Sequence, residues 1–167
     1  STITKEYTDD AIKTLEWNEH IRQRPGMYIG NTGDGSRPDD GIYILIKEVL
    51  DNSIDEFSQG NGKEIRIDIE DNTVSIRDYG RGIPLESVID CASKLNTGGK
   101  FDSDVFQKSV GLNGVGLKAV NATSSYFYIE SFREGLSKWA EFSAGNLLNS
   151  GYHENTGQKN GTFVKYT

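Results

Sequence analysis

Hydrophobic positions recur along this chain in two rhythms. From Ile42 to Phe57 the apolar residues Ile42, Leu45, Ile46, Val49, Leu50, Ile54 and Phe57 fall at i, i+3, i+4 spacing, while Glu48, Asp51, Asn52, Asp55 and Glu56 fill the opposite stripe. That is an amphipathic helix with one core face and one acidic face, and Asp39 or Asp40 is placed to cap it. From Ile65 the period becomes two: Ile65, Ile67 and Ile69, a turn at Asp71-Asn72, then Val74 and Ile76, which predicts an antiparallel hairpin. Residues 85–95 and Val115–Ala122 read as helices, and 125–132, 137–143 and 162–166 as strands. Residues 11–23 fit a short helix broken at Arg24-Pro25-Gly26, and the polar, unpatterned residues 1–10 read as a loose arm. Amphipathic strands with interspersed helices predict an α+β fold, a two-layer sandwich whose mostly antiparallel, mixed sheet carries helices on one face.

Composition supports one folded domain over residues 1–167. The chain is 35% hydrophobic with 7 Phe, 8 Tyr and 2 Trp, too apolar and aromatic for disorder. Its net charge of -7 argues against direct grip on a nucleic-acid backbone, which needs clustered Lys and Arg. The charge is uneven: residues 1–60 are acidic, whereas Lys94, Lys100, Lys108 and Lys118 outnumber Asp102 and Asp104 in a stretch where an anion would settle. One cysteine and two histidines leave no internal disulfide and no Cys/His zinc cluster. The longest apolar run, Ile42 to Ile46, is far short of a membrane span. A cytoplasmic protein without membrane partners is expected.

Three constellations could carry chemistry. Glu48, Asn52 and Glu56 lie at i, i+4 and i+8 on one helical ridge. Most such ridges are solvated faces, yet no base occurs between Lys47 and Lys63, and a carboxylate one turn from an amide oxygen can polarise water and hold a hard cation such as Mg²⁺. Asp78 shares the face of Val74 and Ile76, so it points inward and needs a donor, either local amides or the amino group of a ligand. Gly80 and Gly82 after it permit close approach to the backbone, and Pro84 sets the exit. Finally, seven of the chain's 19 glycines lie between Gly80 and Gly116. Those of the 96–116 loop precede a helix, where unpaired N–H groups and the helix dipole suit a phosphate, although glycine loops are often only connections.

Rival schemes fit less well. A P-loop requires Lys and a hydroxyl directly after its last glycine, whereas Gly116 is followed by Leu117, Lys118 and Ala119. Gly114, Gly116 and Ala119 match a dinucleotide fingerprint, but no buried strand precedes them. His20 and His153 lie outside all three constellations, leaving no base for a Ser or Cys nucleophile.

In order, the helix with Glu48, Asp51 and Asn52, the Asp78-x-Gly80-x-Gly82 turn and the lid ending Gly114-Val115-Gly116 resemble the GHKL ATP-binding fold of gyrase-type topoisomerases, ninety-kilodalton heat-shock chaperones, histidine kinases and MutL-type repair proteins. Arg24-Pro25-Gly26-Met27-Tyr28-Ile29-Gly30 resembles the signature of bacterial type IIA topoisomerase B subunits, and Thr97-Gly98-Gly99-Lys100-Phe101 and Asn121-Ala122 agree. Asn113 stands where the B subunits of gyrases usually carry histidine, and the stretch from Pro84 to Gly98 is short. Both departures favour the topoisomerase IV branch over the gyrase branch.

The resemblance implies an ATP-hydrolysing DNA topoisomerase subunit with ATP and Mg²⁺ as cofactors. It assigns Glu48 as general base and Asn52 as Mg²⁺ ligand. It gives Asp78 the adenine amino group, with Gly82 and Thr162 beside an ordered water, and Ile83 and Pro84 as walls. It pairs Glu56 with Arg81 at the rim, sets Arg133 at the mouth, and leaves the phosphates to Lys100 and the amides of Gly111, Leu112, Asn113, Gly114, Val115, Gly116 and Leu117. Tyr7 matches an arm that crosses to the partner subunit in a homodimer. The implied partners also include the topoisomerase A subunit and DNA, through a transducer and later domains that cannot fit in 167 residues, and adenine-site competitive inhibitors. A trimmed piece of a longer subunit is therefore expected, binding ATP with little turnover. A non-hydrolysing nucleotide sensor on the same fold is the alternative.

Overall fold

The computed structural model describes residues 17–23, 60, 64–93 and 116–167. The predicted helix over 42–57, the arm over 1–10 and the 96–116 loop up to residue 115 lie outside them. After helix α1 over 17–23 come β1 (Ile65–Glu70), β2 (Thr73–Asp78), a 3-10 turn (Leu85–Ser87), α2 (Val88–Ser93), α3 (Gly116–Thr123), β3 (Phe127–Arg133), β4 (Leu136–Ser143), β5 (Asn146–His153) and β6 (Gly161–Tyr166). The strands form one sheet in the order β1-β2-β6-β3-β4-β5, and all five pairings are antiparallel.

Register explains the core. Val74, Tyr166, Phe127 and Phe142 form one row across four strands, and Ile76, Val164, Ile129 and Ala140 form the next. All eight are buried, packed with Val88, Cys91 and Ala92 of α2 and Leu117 and Val120 of α3. Burial of each large aliphatic or aromatic side chain contributes ~1.5–3 kcal/mol, so these two rows anchor the helices to one face. Moving along the strands, the following row turns polar: Ser131 opposes Thr162, and Asp78 ends β2 beside them. The change from apolar to polar within one continuous face marks where the core stops.

The two hairpin turns flanking β4 are left-handed, with glycine at the second loop position. Two-residue hairpin loops join β3 to β4 through Glu134 (φ 51°) and Gly135 (φ 77°), and β4 to β5 through Ala144 (φ 50°) and Gly145 (φ 83°). Positive φ at both central residues matches the twist of the flanking strands. Asp71 (φ 52°) turns β1 into β2 at the predicted place.

Three elements differ from expectation. The predicted helix over 85–95 is divided into a 3-10 turn, closed by Ser87 N–H donating to Pro84 O at 2.8 Å, and α2. Strand β5 was not anticipated: a bulge between Glu141 and Phe142 places Leu148 outside the pairing, so Leu147-Leu148 breaks the alternation that marks a strand. The β1 isoleucines face the core side in register, yet Ile67 and Ile69 are exposed because β1 is a sheet edge.

Helix α1 docks near the β4–β5 turn. Asn18 Nδ2 donates to Ala144 O at 2.9 Å and to Asn146 Oδ1 at 3.0 Å, and Arg22 donates to Ala122 O at 3.1 Å. Trp17 and Ile21 bury against Ala122. On the sheet face away from α2 and α3, Glu130 gathers Tyr128 OH (2.8 Å), Ser137 Oγ (2.7 Å) and His153 Nδ1 (3.2 Å). Trp139 stacks on both Tyr128 and His153, closing that face with an aromatic layer. Among the described residues no helix is long and apolar enough to cross a membrane.

Candidate nucleotide site

The candidate site is built at the polar end of the core, where β2 runs out. Asp78 is 7% exposed. Its Oδ1 accepts from Gly80 N–H at 3.0 Å, in the turn that follows it, and from Thr162 N–H at 3.2 Å on β6. Two backbone donors on one carboxylate oxygen hold the side chain in one orientation. The local reading of Asp78, bonding nearby amides, is thus realised in the structure, and it leaves the carboxylate fixed at the edge of the core.

The turn after Asp78 lies unusually close to β3 and β6. Gly82 has φ +78°, and a Cβ there would meet Phe132 O at 2.7 Å, Ser131 Oγ at 3.0 Å and Gly161 O at 3.1 Å. Only glycine combines that backbone with that proximity. Ile83 then enters the core, 5% exposed, and its carbonyl accepts from Ser131 Oγ at 2.6 Å. Arg133 Nε donates to both Arg81 O and Gly82 O at 3.1 Å, tying the turn to the end of β3. Arg77 braces it from the other face, donating to Asp78 O and, at 2.6 Å, to Lys159 O. Its guanidinium lies over the Tyr79 ring (4.3 Å) and the Phe132 ring (4.7 Å). Burial lowers the Arg77 pKa, opposed by Tyr79, Asp78 and Glu130.

Asp78, Arg81, Gly82, Ile83, Pro84, Arg133 and Thr162 are therefore gathered at one end of the sheet, across a sequence separation of 84 residues between Asp78 and Thr162. Gly116 and Leu117 open α3, and Leu117 shares the core with Ile83. Tyr7, Glu48, Asn52, Glu56, Lys100, Gly111, Leu112, Asn113, Gly114 and Val115 lie outside the described residues. Sequence reasoning missed Ser131, Arg77 and Gly161. Ser131 had a readable signal, a small polar residue at the inward parity of Phe127 and Ile129; the other two had none.

Cys91, 1% exposed on α2, has its thiol pushed up to about 12, chiefly by burial. A rise of three pKa units over the ordinary value of 9.0 cuts the thiolate about 1,000-fold, and the greater nucleophilicity of a more basic thiolate returns part of that. Alkylation at pH 8 is expected to be slower by ~30-fold or more in the native than in the urea-unfolded protein. Mass spectrometry of the iodoacetamide adduct over time checks this, and equal rates would contradict the burial.

The fold agrees with comparisons to known proteins. The sequence profile of the family described as histidine kinase-, DNA gyrase B- and HSP90-like ATPases matches residues 38–143. The chain belongs to that family. As a member of it, the protein carries an ATP-binding fold, and the sheet with helices on one face is its architecture. The chain is 58% identical to the B subunit of DNA topoisomerase 4 from Borreliella burgdorferi over 98% of its own length and 27% of that protein. It is 38% identical to the B subunit of DNA gyrase from Mycoplasma genitalium over 96% of this chain and 26% of that one. It thus spans about a quarter of the length of these curated relatives. Among solved structures, the 43K ATPase domain of Thermus thermophilus gyrase B, in complex with an aminocoumarin, superposes with a TM-score of 0.69 at 32% identity, covering 94% of this chain and 40% of that one.

Proposed function

We propose that this chain is the ATP-binding and ATP-hydrolysing domain of a bacterial type IIA topoisomerase, from the B subunit of the topoisomerase IV kind. The observation that carries the nucleotide reading is Asp78, a buried carboxylate locked by the Gly80 and Thr162 amides beside a glycine turn. The choice of topoisomerase IV rests on 58% identity to a topoisomerase 4 relative against 38% to a gyrase relative.

In this reading Asp78 accepts the adenine amino group, Thr162 and Gly82 flank an ordered water, and Ile83 and Pro84 wall the ring. The close packing of Gly82 against Phe132 O and Gly161 O fixes the turn, and that fixed backbone is the edge against which a planar purine lies in this reading. Arg81 and Glu56 pair at the rim, and Arg133 stands at the mouth. Lys100 and the amides from Gly111 to Leu117 take the phosphates, the N-terminus of α3 adding partial positive charge. Asn52 holds Mg²⁺, which supplies charge neutralisation at the phosphates, and Glu48 orients the attacking water as base. Residues 1–10 form an arm that reaches a second copy of the protein through Tyr7, and residues 96–116 form the lid. The whole protein works in the cytoplasm with a topoisomerase A subunit and DNA, ATP driving closure of a dimeric clamp. Adenine-site competitive inhibitors bind at the Asp78 end.

Titration calorimetry with a non-hydrolysable ATP analogue and Mg²⁺ tests this. A Kd between micromolar and millimolar, ~4–8 kcal/mol, is expected, and no detectable heat at millimolar analogue would refute it. Phosphate release by the full-length protein separates an ATPase from a silent sensor of the same fold.

A further inference from the structure

Lys118 is a lysine in an unusual place. It is the third residue of α3, an eight-residue helix, and is only 6% exposed. Its neighbours along the helix, Leu117, Ala119 and Val120, are buried as well. One turn further on, Asn121 Nδ2 donates to Ala92 O at 2.9 Å, which fixes that stripe of α3 against α2. Lys118 lies on the same stripe, within electrostatic reach of Asp90 and Cys91 of α2. Among the described residues its ammonium makes no hydrogen bond and no ion pair within 4 Å, whereas buried cations are ordinarily paired. Burial lowers the pKa of the ammonium, an effect Cys91 and Asp90 offset in part.

Direction gives this cation a purpose. Side chains on an α-helix lean toward its N-terminus, and long ones lie back over the preceding turn. A stem rooted at the third residue is therefore directed toward the first N–H groups of α3, the end that opens at Gly116 and follows Gly111 and Gly114 in the chain. Those amides and the helix dipole already favour an anion there.

We infer that Lys118 is a ligand for the phosphate chain of the bound nucleotide, reaching it from within the domain in addition to Lys100. The inference rests on the nucleotide reading above and deepens it. It accounts for a cation that is buried without a partner among the described residues, where a methionine of similar length would pack without the cost of desolvating a charge. It also gives the domain a specificity element, because an ammonium at this point favours ATP and ADP over adenosine.

The test is Lys118→Met in the full-length protein, measured by calorimetry with a non-hydrolysable ATP analogue and ADP, by ligand-observed NMR with adenosine, and by thermal melting. The expected result is a loss of at least ~10-fold in affinity for ATP analogue and ADP, about 1.4 kcal/mol, with adenosine binding within twofold of wild type. The variant is expected to melt no lower than wild type. Unchanged affinity for ATP analogue and ADP, with wild type binding normally, would overturn the inference and leave the nucleotide reading intact. An equal loss for adenosine would overturn it too, by making Lys118 a support of the pocket as a whole. Wild type that binds none of the three ligands would overturn the nucleotide reading, and this inference with it.

Discussion

Asp78→Asn is expected to weaken binding of an ATP analogue at least ~100-fold, about 2.7 kcal/mol, while leaving the protein folded. Asparagine keeps the oxygen that accepts from Gly80 and Thr162, so the end of β2 retains its ties, now to a neutral acceptor. That change from charge-assisted to neutral hydrogen bonds costs about 1 kcal/mol of stability, a shift of a few degrees in Tm for a domain of this size. The second oxygen position becomes an NH₂ group, a donor facing the donor of adenine. Two opposed donors cannot be relieved by water in a site this enclosed, since Asp78 is 7% exposed. Calorimetry of both proteins under one condition reads the difference. Equal affinity would remove Asp78 from the adenine role and, with it, the observation on which the proposed function stands.

A second large effect is expected at Gly161, where Gly161→Ala should cost ~3–5 kcal/mol of folding stability. Gly161 has φ +144°, a conformation closed to side chains, and a Cβ there would overlap the Asp78 carbonyl and Arg77 Nη1 and approach Asp78 C to 2.9 Å. Arg77 can swing aside, but the Asp78 carbonyl is backbone and cannot. Relief requires β6 to move away from β2, which also draws the Thr162 amide from Asp78 Oδ1, so nucleotide affinity should fall in parallel. Gly135→Ala is the control: Gly135 has φ +77° but nothing within 4 Å of an added Cβ, so only backbone strain of about 1–2 kcal/mol applies. Urea midpoints of the two variants compare them directly. A Gly161→Ala protein no less stable than Gly135→Ala would contradict the packing at the β2–β6 boundary.

These two residues differ in how readable they were. Asp78 could be picked out from parity alone, since it follows Val74 and Ile76 at steps of two and is buried as that parity requires. Gly161 sits in a glycine- and asparagine-rich stretch where nothing local distinguishes a close approach from an ordinary turn, as Gly157, with nothing near its Cβ position, illustrates. β5 was missed for a related reason, its bulge at Leu148 interrupting the period of two. The β1 isoleucines show the converse: their alternation was correct, but alternation does not say whether a strand is central or at an edge, and Ile67 and Ile69 are exposed. Lys118 failed the letter test for a P-loop lysine, and its burial without a partner among the described residues became visible only once α3 was packed on α2.

By itself the sequence determined the local and ordered features: the helix and strand periods, the turn at Asp71-Asn72, the inward parity of Asp78, and the succession of motifs that places the chain in its ATPase family. These are properties of neighbours a few residues apart, and chain order is enough to express them. Only the tertiary structure decided that β6 lies between β2 and β3, which brings the Thr162 amide to Asp78 and sets Ser131 under Ile83. That pairing joins segments 84 residues apart, and its register is chosen by fitting whole rows of side chains across four strands, a condition no single stretch of the chain contains.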